Sequence, residues 1–298
     1  MALKLPQAVL RASADVLLDQ VRLGRGPLDL VDALIMLAVT QANVEPVLRD
    51  PGLNRRYATY DSPPPEAIRR PISINAVAQS LGIPFETARR RVARLALVGV
   101  YRTTPAGVIV PGWVVRATSH RAAAEAGYAR AVALFSRLAS LGFPFEPSSA
   151  PPWEGAPPLR AVARASAEYL LRLVGVLSAE LGDVVTSTVW LELLRSTHEH
   201  LPLEAGLSAE RQQPASAAQL ARRLGLPAET VRRRVGALAE LGLCDLSPKG
   251  ATLPVASFGR RDVVRILRNN QRDLARMFTT LGQLGIVAMW RADGSLAA

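Results

Sequence analysis

Several features that define other classes of protein are scarce or absent in this sequence. A single cysteine, Cys244, excludes an internal disulfide framework and favours a reducing compartment. No run of about 18 apolar residues is uninterrupted, so no membrane-spanning helix is expected. The opening segment, MALKLPQAVLRASADVLLDQ, carries charges and lacks a continuous apolar core, so no signal peptide is predicted. The sequence therefore predicts a cytoplasmic protein.

Motifs of catalysis and metal binding are missing as well. We find no glycine-rich phosphate loop, nucleophile elbow or paired-carboxylate motif, so we expect neither an enzyme nor a cofactor. His198 and His200 alternate along a predicted helix and have no third ligand nearby in sequence, so no metal site is predicted. His120 stands alone and is expected to be solvated. Cys244 is expected to pack as a small apolar side chain, with oxidation sensing as the alternative.

Lysine is also scarce, yet the chain is strongly basic. Lys4 and Lys249 are the only lysines, and arginine accounts for almost all of the net charge of +11. An excess of this size favours a polyanionic partner, with nucleic acid the first candidate and an anionic membrane surface the second. A GC-rich genome would also raise the arginine and alanine content. The charge therefore needs support from a motif.

One stretch of the sequence occurs twice. Residues 71–111 and 214–254 align without a gap at an offset of 143, with 18 identities in 41 positions. Agreement of this extent indicates an internal duplication. The chain of 298 residues, of which 49% are hydrophobic, is also long enough for two globular domains.

Each copy predicts two short helices joined by a tight turn. Ser73 and Ser216 are suitable N-caps, because a hydroxyl accepts a hydrogen bond from the free N–H groups of a first turn. Gly82 and Gly225 suit a left-handed residue that ends the first helix. A proline two residues later suits the start of the second helix. The pattern is typical of a helix-turn-helix.

The second helix of each copy carries three consecutive arginines. At about 100° per residue, Ala88, Val92 and Leu95 share an inward face. Arg90 points most directly away from that face, whereas Arg91 lies nearer to it. The second copy repeats this arrangement. Arginines around most of a short helix suit a groove lined by phosphates.

The two copies resemble the winged helix-turn-helix of bacterial regulators of the MarR, IclR and GntR type. In that pattern a glycine and an apolar residue follow the recognition helix and precede a two-stranded wing, which VYRTTPAGVIVP and LCDLSPKGATLP would supply here. The resemblance implies helix-turn-helix segments at 73–98 and 216–241 and wings at 100–111 and 243–254.

The remaining segments repeat as well. RASADVLL at 11–18 resembles RASAEYLL at 164–171, now at an offset of 153. A first helix is predicted at 7–22. A second is predicted at about 28–48, with its counterpart at about 182–199, and long helices are predicted after each wing at 114–141 and 257–284. Residues 49–70 are rich in proline and poorly periodic, and are predicted to be an extra loop of the first copy.

We therefore predict a mainly α fold with small β-wings and two tandem units. The first unit comprises residues 1–141 and the second residues 159–298, and a stiff proline-rich linker at 142–158 joins them. In MarR-type proteins the helices outside the winged motif form the dimer interface. The resemblance thus implies a pseudo-dimer within one chain.

The resemblance also implies that the two recognition helices enter successive major grooves of double-stranded DNA. Arg90 and Arg233 are the first candidates for base contacts, because arginine can grip guanine with two parallel hydrogen bonds. Arg91 and Arg234 are expected to contact phosphates or to pack on the protein surface. The complete set of candidate DNA-binding residues is Ser73, Glu86, Thr87, Arg89, Arg90, Arg91, Arg94, Arg102, Ser216, Glu229, Thr230, Arg232, Arg233, Arg234 and Lys249.

Some of these assignments have alternatives. Glu86 and Glu229 would accept a hydrogen bond from cytosine, or would only interact favourably with the helix dipole. Ser73 and Ser216 would position phosphates in addition to capping. The two copies differ at several aligned positions, including Arg102 and its counterpart in the second wing. We therefore expect an asymmetric DNA site or an imperfect palindrome.

The sequence as a whole favours a transcription regulator, associated with the nucleoid, that binds specific double-stranded DNA. A replication initiator or nucleoid-organising protein is one alternative. A protein-interaction module built from winged helices is another, although the arginine triplets argue against it. RNA polymerase and a second copy of the chain are further partners compatible with this interpretation, whereas a membrane is not expected.

Overall fold

A computed structural model describes residues 4–25, 29–207 and 211–294. Within these ranges the chain is mainly helical with two small antiparallel sheets, as predicted. None of the helices described is long and apolar enough to cross a membrane. The first half contains α1 (Lys4–Arg25), α2 (Leu30–Asn43), α3 (Glu45–Arg49), α4 (Pro51–Arg56), α5 (Ile74–Leu81), α6 (Phe85–Leu97), β1 (Arg102–Thr104), β2 (Gly107–Ile109) and α7 (Thr118–Ser140). The second half contains α8 (Leu159–Leu181), α9 (Val184–His198), α10 (Ala217–Leu224), α11 (Ala228–Glu240), β3 (Asp245–Ser247), β4 (Gly250–Thr252), α12 (Arg261–Gln283) and α13 (Ile286–Ala292).

The duplicated sequence produces the same local structure twice. The hydroxyl groups of Ser73 and Ser216 each accept a hydrogen bond from the backbone N–H three residues later, at 3.1 Å in both copies. Gly82 and Gly225 end α5 and α10 in the left-handed region, with φ of 61° and 62°. The caps and the turn predicted from the sequence are confirmed. These short-range interactions fix where each helix pair begins and bends.

A two-stranded hairpin follows each helix pair and is attached to its start. Ile72, just before α5, exchanges two backbone hydrogen bonds with Val108 of β2, at 2.8 and 3.1 Å. Ala215 and Ala251 do the same in the second copy, at 2.9 Å in both directions. A Cβ atom on Gly107 would lie 2.4 Å from the carbonyl oxygen of Ile72. Only glycine fits there, because both its φ of +131° and this close approach exclude a side chain.

The long helices at the start and end of each repeat pack together between the two helix pairs. α1 and α8 each contact α7 and α12, and the contacts are reciprocal, with α1 on α9 and α8 on α2. One continuous cluster of buried apolar residues includes side chains from both halves. The two repeats therefore share a single hydrophobic core, and this core fixes the relative positions of the helix pairs.

Two matching arginines join the halves across this core. Arg11 of α1 donates to the carbonyl oxygen of His198, at the end of α9, at 2.8 Å. Arg164, its counterpart on α8, donates to the carbonyl oxygens of Asn54 and Tyr57, at 3.0 and 2.9 Å. Each half thus supplies hydrogen bonds to carbonyl groups near helix ends of the other half.

The predicted extra loop of the first half is partly wrong. α4 forms where an irregular segment was predicted from residue 49, and the helix predicted at about 28–48 is divided into α2, which ends at Asn43, and α3. Pro46 and Pro51 lie in the first turns of α3 and α4, where a missing N–H costs nothing. The Asn43 side chain is buried and donates to the carbonyl oxygens of Arg70 and Val108, at 2.8 and 3.1 Å. This tertiary contact lies at the end of α2.

Residues 142–158 contain no helix or strand and contact both halves. The Phe145 ring packs against Phe135 of α7 and Phe278 of α12, with ring centres 4.9 and 5.1 Å apart. The backbone N–H of Trp153 donates to the carbonyl oxygen of Gly285 at 2.9 Å. These contacts attach the proline-rich segment to the shared core.

Candidate nucleic-acid interface

The helices α6 and α11 each bury one face and expose the opposite face. Ala88, Val92 and Leu95 of α6 are at most 1% exposed, which confirms the predicted inward face. Val231, Val235 and Leu238 take the same positions in α11 and are likewise buried. The packing leaves the remaining sides of each helix to its polar residues.

Arg90 and Arg233 lie at equivalent positions on these outer faces. Both side chains belong to exposed residues. Neither has a hydrogen-bond or ion-pair partner among the residues that the structure describes. An exposed guanidinium without an internal partner keeps all five of its N–H donors for an external acceptor.

The first arginine of each triplet pairs with a glutamate one turn earlier. The Arg89 Nη2–Glu86 Oε2 distance is 2.9 Å, and the Arg232 Nη2–Glu229 Oε1 distance is 2.7 Å. All four side chains are exposed, so water and salt screen these pairs and the arginines can be released to another anion. The hydrogen bond from Arg232 lowers the pKa of the Glu229 carboxyl group.

The third arginine of each triplet is held by the protein itself. Arg91 Nη1 donates to Asp29 Oδ2 at 2.6 Å and to Asp32 Oδ1 at 2.9 Å. Arg94 also pairs with Asp32, whose side chain is fully buried. Burial is the largest single effect on Asp29 and opposes its ionisation, but the hydrogen bond from Arg91, the charge of Arg91 and the hydrogen bonds from backbone N–H groups together outweigh it, so the pKa of Asp29 is lowered. These contacts join α6 to the start of α2.

The second copy makes the corresponding connection with a single ion pair. Arg234 Nη1 lies 2.7 Å from Asp183 Oδ2, and Asp183 is also the N-cap of α9. Arg91 and Arg234 were expected either to contact phosphates or to pack on the protein surface. Their ion pairs with aspartates favour packing. Because Arg91 and Arg234 fix the orientation of α6 and α11, they are positioning residues in this structure.

The other candidate residues differ in exposure. Arg102 of β1 pairs with Glu66, and Lys249 is exposed between β3 and β4. Thr87 and Thr230 are half-buried. The exposed members of the predicted set are Ser73, Glu86, Arg89, Arg90, Arg94, Arg102, Ser216, Glu229, Arg232, Arg233 and Lys249.

Sequence reasoning missed the acidic residues that hold these helices. Asp29 and Asp32 lie far from α6 in sequence, as Asp183 does from α11, so helical periodicity within the repeat carries no signal for them. One signal was available, because an aspartate precedes the second helix of both halves at the N-cap position. Phe85, which aligns with Ala228, is a 45% exposed aromatic residue at the start of α6.

The isolated histidines and the cysteine have structural environments. Cys244 is buried, as predicted, and burial raises the pKa of its thiol to about 11. The prediction that His120 is solvated is wrong, because the side chain is half-buried and its Nδ1 lies 3.3 Å from the Tyr60 hydroxyl group. Burial lowers the pKa of His120 to about 4. In the described ranges no three His, Cys, Asp or Glu side chains come together as metal ligands.

No protein-family model, curated protein or solved structure matches this chain. Function therefore has to be inferred from the geometry of its own residues. One feature recurs in both halves: an exposed arginine, Arg90 or Arg233, without a hydrogen-bond or ion-pair partner among the described residues. The helix that carries it is held by its buried apolar face and by the ion pair of the next arginine, Arg91 or Arg234.

Proposed function

We propose that this chain is a transcription regulator that binds specific double-stranded DNA with α6 and α11 as its recognition helices. The observation that carries the proposal is the matched placement of Arg90 and Arg233. Both are exposed and lack a hydrogen-bond or ion-pair partner among the described residues. An arginine in this state can donate two parallel hydrogen bonds to the O6 and N7 atoms of guanine in the major groove.

The hairpins and the shared core support the finer interpretation as a tandem winged helix-turn-helix. In this proposal β1–β2 and β3–β4 are the wings, and the reciprocal packing of α1, α7, α8 and α12 replaces a dimer interface. A rigid core would hold the two recognition helices at a fixed spacing, which successive major grooves about 34 Å apart require. The first and second arginines of each triplet would then contact bases and phosphates.

The differences between the copies support an asymmetric DNA site. Phe85 of α6 aligns with Ala228 of α11, and an exposed aromatic ring suits contact with a thymine methyl group. Arg102, which pairs with Glu66, aligns with Asp245, and Ala106 aligns with Lys249, so the two wings present different charges to phosphate. Each half is thus free to prefer its own half-site.

A second function, as a protein-interaction module, is favoured by one observation. Leu97 at the end of α6, Val98 beside it and Trp113 after β2 are 89%, 69% and 64% exposed, so each presents an apolar side chain to solvent. A protein partner such as RNA polymerase, or a second copy of the chain, would cover them. This contact is compatible with DNA binding by the arginines.

DNA selection followed by affinity measurements tests the proposal. Duplexes enriched from a random pool would be labelled, and binding of the wild type, Arg90→Ala and Arg233→Ala would be followed by fluorescence anisotropy. Loss of a bidentate arginine–guanine contact is worth about 1–3 kcal/mol, so each variant should bind about 5- to 150-fold more weakly. The matched control is Arg268→Ala, which removes an exposed arginine of α12, outside both helix-turn-helix segments and both hairpins.

Two results would count against DNA recognition by these helices. One is unchanged affinity in Arg90→Ala and Arg233→Ala. The other is an equal loss in Arg268→Ala, because this would indicate a general effect of charge rather than contact by α6 and α11. Intact DNA binding in the first two variants together with loss of a protein partner in a Leu97 variant would favour the interaction module.

A further inference from the structure

A cavity of about 230 Å³ lies between α1, α2 and α7 of the first half and α8 of the second half. Its wall is mostly apolar and includes Leu34 and Leu37 of α2 and Leu170 of α8. Val110 and Val114, which follow the first hairpin, close another side. The cavity lies among the helices of the shared core, outside the surface proposed to bind DNA.

The cavity exists partly because α7 has small residues where α12 has larger ones. Three residues of α7 that line the cavity are small, and their counterparts on α12, at the offset of 143, are larger and at most 2% exposed. The pairs are Ala123 and Ile266, Ala124 and Leu267, and Gly127 and Asn270. The second half thus fills the corresponding position with side chains. Its Asn270 accepts a hydrogen bond from Tyr169 at 2.7 Å and donates to Ser13 at 3.0 Å.

The first helices of the two repeats differ in the same direction. Ala163 of α8 lines the cavity, whereas its counterpart on α1, at the offset of 153, is Leu10. Gln20 of α1 lines the cavity, whereas its counterpart on α8 is Leu173. Leu10 and Leu173 are at most 1% exposed. Smaller or more polar residues at five aligned positions therefore open one of two related sites, and an unfilled cavity would lower stability.

The charge of the cavity wall also differs from that at the equivalent position. Arg69 and Arg160 line the cavity, and their aligned counterparts are Gln212 and Gln7. Arg69 Nη1 donates to the carbonyl oxygen of Val110 at 2.6 Å, and Gln212 Nε2 donates to the equivalent carbonyl oxygen in the second half at 2.7 Å. A neutral side chain is sufficient for this hydrogen bond. The first half has therefore placed a cation where the fold does not require one.

These guanidinium groups have no internal counter-ion. Arg69, Arg160 and Arg164 are each at least nine-tenths buried, and within the described ranges none of them pairs with a carboxylate. The Nε atom of Arg69 is buried and lacks a hydrogen-bond partner among the described residues. Burial, with a smaller contribution from the neighbouring Arg160, lowers the pKa of Arg164 to about 9. A buried cation without an anion is unfavourable, so an anionic group at this wall would be stabilising.

We propose that this cavity binds one apolar organic acid per chain, with its carboxylate at Arg69 and Arg160 and its hydrocarbon body between α2, α7 and α8. An engineered cavity of about 150 Å³ holds benzene, so the present one, which is larger and partly open to solvent, suits a molecule of about nine or more non-hydrogen atoms. The second half binds no equivalent molecule, because larger side chains occupy that position. The proposal concerns a ligand site and is independent of DNA binding.

Calorimetric titration of the full chain with 1-naphthoate, and with 1-naphthamide as its neutral counterpart, tests the proposal. We expect one naphthoate to bind per chain. The amide should bind at least about tenfold more weakly, because it cannot form charge-assisted hydrogen bonds with the arginines. Benzoate and octanoate would be titrated in parallel as smaller and flexible acids.

Substitutions taken from the second half separate the two elements of the site. Arg69→Gln keeps the donor to Val110 and should weaken naphthoate binding about tenfold while leaving the amide almost unchanged. Ala124→Leu fills the cavity and should abolish binding of both probes. The control Ala122→Leu adds the same volume at an exposed position of α7 and should bind both probes as the wild type does.

The proposal is overturned if none of the three acids binds at millimolar concentration, or if the amide binds as tightly as the acid. It is also overturned if Arg69→Gln has no effect on naphthoate binding. Inorganic phosphate is a further probe. If phosphate displaces naphthoate from the wild type, and if Ala124→Leu still binds naphthoate as the wild type does, the anion site lies outside the cavity. These two results together would reject the inference. Should Ala124→Leu fail to fold, Arg69→Gln still decides the outcome.

Discussion

The ion pair between Asp32 and Arg91 is expected to contribute substantially to stability, because it attaches α6 to α2. Asp32 is fully buried and Arg91 is 19% exposed. Removing one partner of a buried pair costs about 3–5 kcal/mol. Arg94, the other partner of Asp32, is 58% exposed, so water reaches part of this cluster. We therefore expect Asp32→Asn to lower the free energy of unfolding by about 2–3 kcal/mol.

A double-mutant cycle isolates the pair from other effects of each substitution. The cycle comprises Asp32→Asn, Arg91→Met and the double variant, and its coupling energy should be about 1.5–2 kcal/mol. The matched control is a cycle on Glu86→Gln and Arg89→Met, a pair on the same helix that is 70% and 56% exposed. Its coupling energy should be about 0.5 kcal/mol or less.

Urea denaturation followed by circular dichroism gives the free energies of unfolding for both cycles. Added salt should reduce the small coupling of the exposed pair more than that of the buried pair, because solvent ions do not reach Asp32. Equal coupling energies in the two cycles would refute the reasoning. Such a result would mean that Arg91 is not held by Asp32 and does not orient α6.

Three further predictions concern other sites. Cys244, whose thiol pKa is raised to about 11 by burial, should react slowly with a disulfide reagent at neutral pH in the native protein and rapidly in urea; rapid native reaction would contradict its burial. Burial lowers the pKa of His198 to about 4 from a usual 6.5, so the unfolded state takes up the proton first as pH falls. The free energy of unfolding should therefore fall by up to about 3 kcal/mol as the pH drops from about 6.5 to about 4, and this fall should be absent in His198→Gln. Urea titrations at several pH values measure it. Gly107→Ala should destabilise the protein by more than about 2 kcal/mol, because its Cβ would meet Ile72, whereas Gly82→Ala has open space and should cost about 1 kcal/mol; similar thermal shifts for both would contradict this.

The elements that could be predicted from the sequence depend on short-range interactions. The caps Ser73 and Ser216 and the left-handed glycines that end α5 and α10 act within one turn of the chain, and the repeat presents each signal twice. The inward face of α6 follows from helical periodicity alone. The arginine triplets also stand out for this reason, because three consecutive cations need no tertiary information.

The elements that could not be predicted depend on long-range contacts. Arg91 meets Asp32 across 59 positions of sequence, and Arg164 meets Asn54 across 110. The first contact engages Arg91, one of the predicted DNA-binding residues, in an ion pair within the protein. The second joins the two halves. The segment predicted as loop was rich in proline, but Pro51 begins α4, because proline is compatible with the first turn of a helix. The cavity was missed because identities define a repeat, whereas the cavity arises where the copies differ.

The central claim is that one chain reads DNA with two recognition helices. Hydroxyl-radical footprinting on a selected duplex tests it most directly. The wild type, Arg90→Ala and Arg233→Ala would be compared at concentrations where one protein chain binds each duplex. We expect two protected segments whose centres are about 10 base pairs apart, with Arg90→Ala weakening one and Arg233→Ala weakening the other. A single protected segment, or a strictly symmetric site occupied by two chains, would contradict the claim.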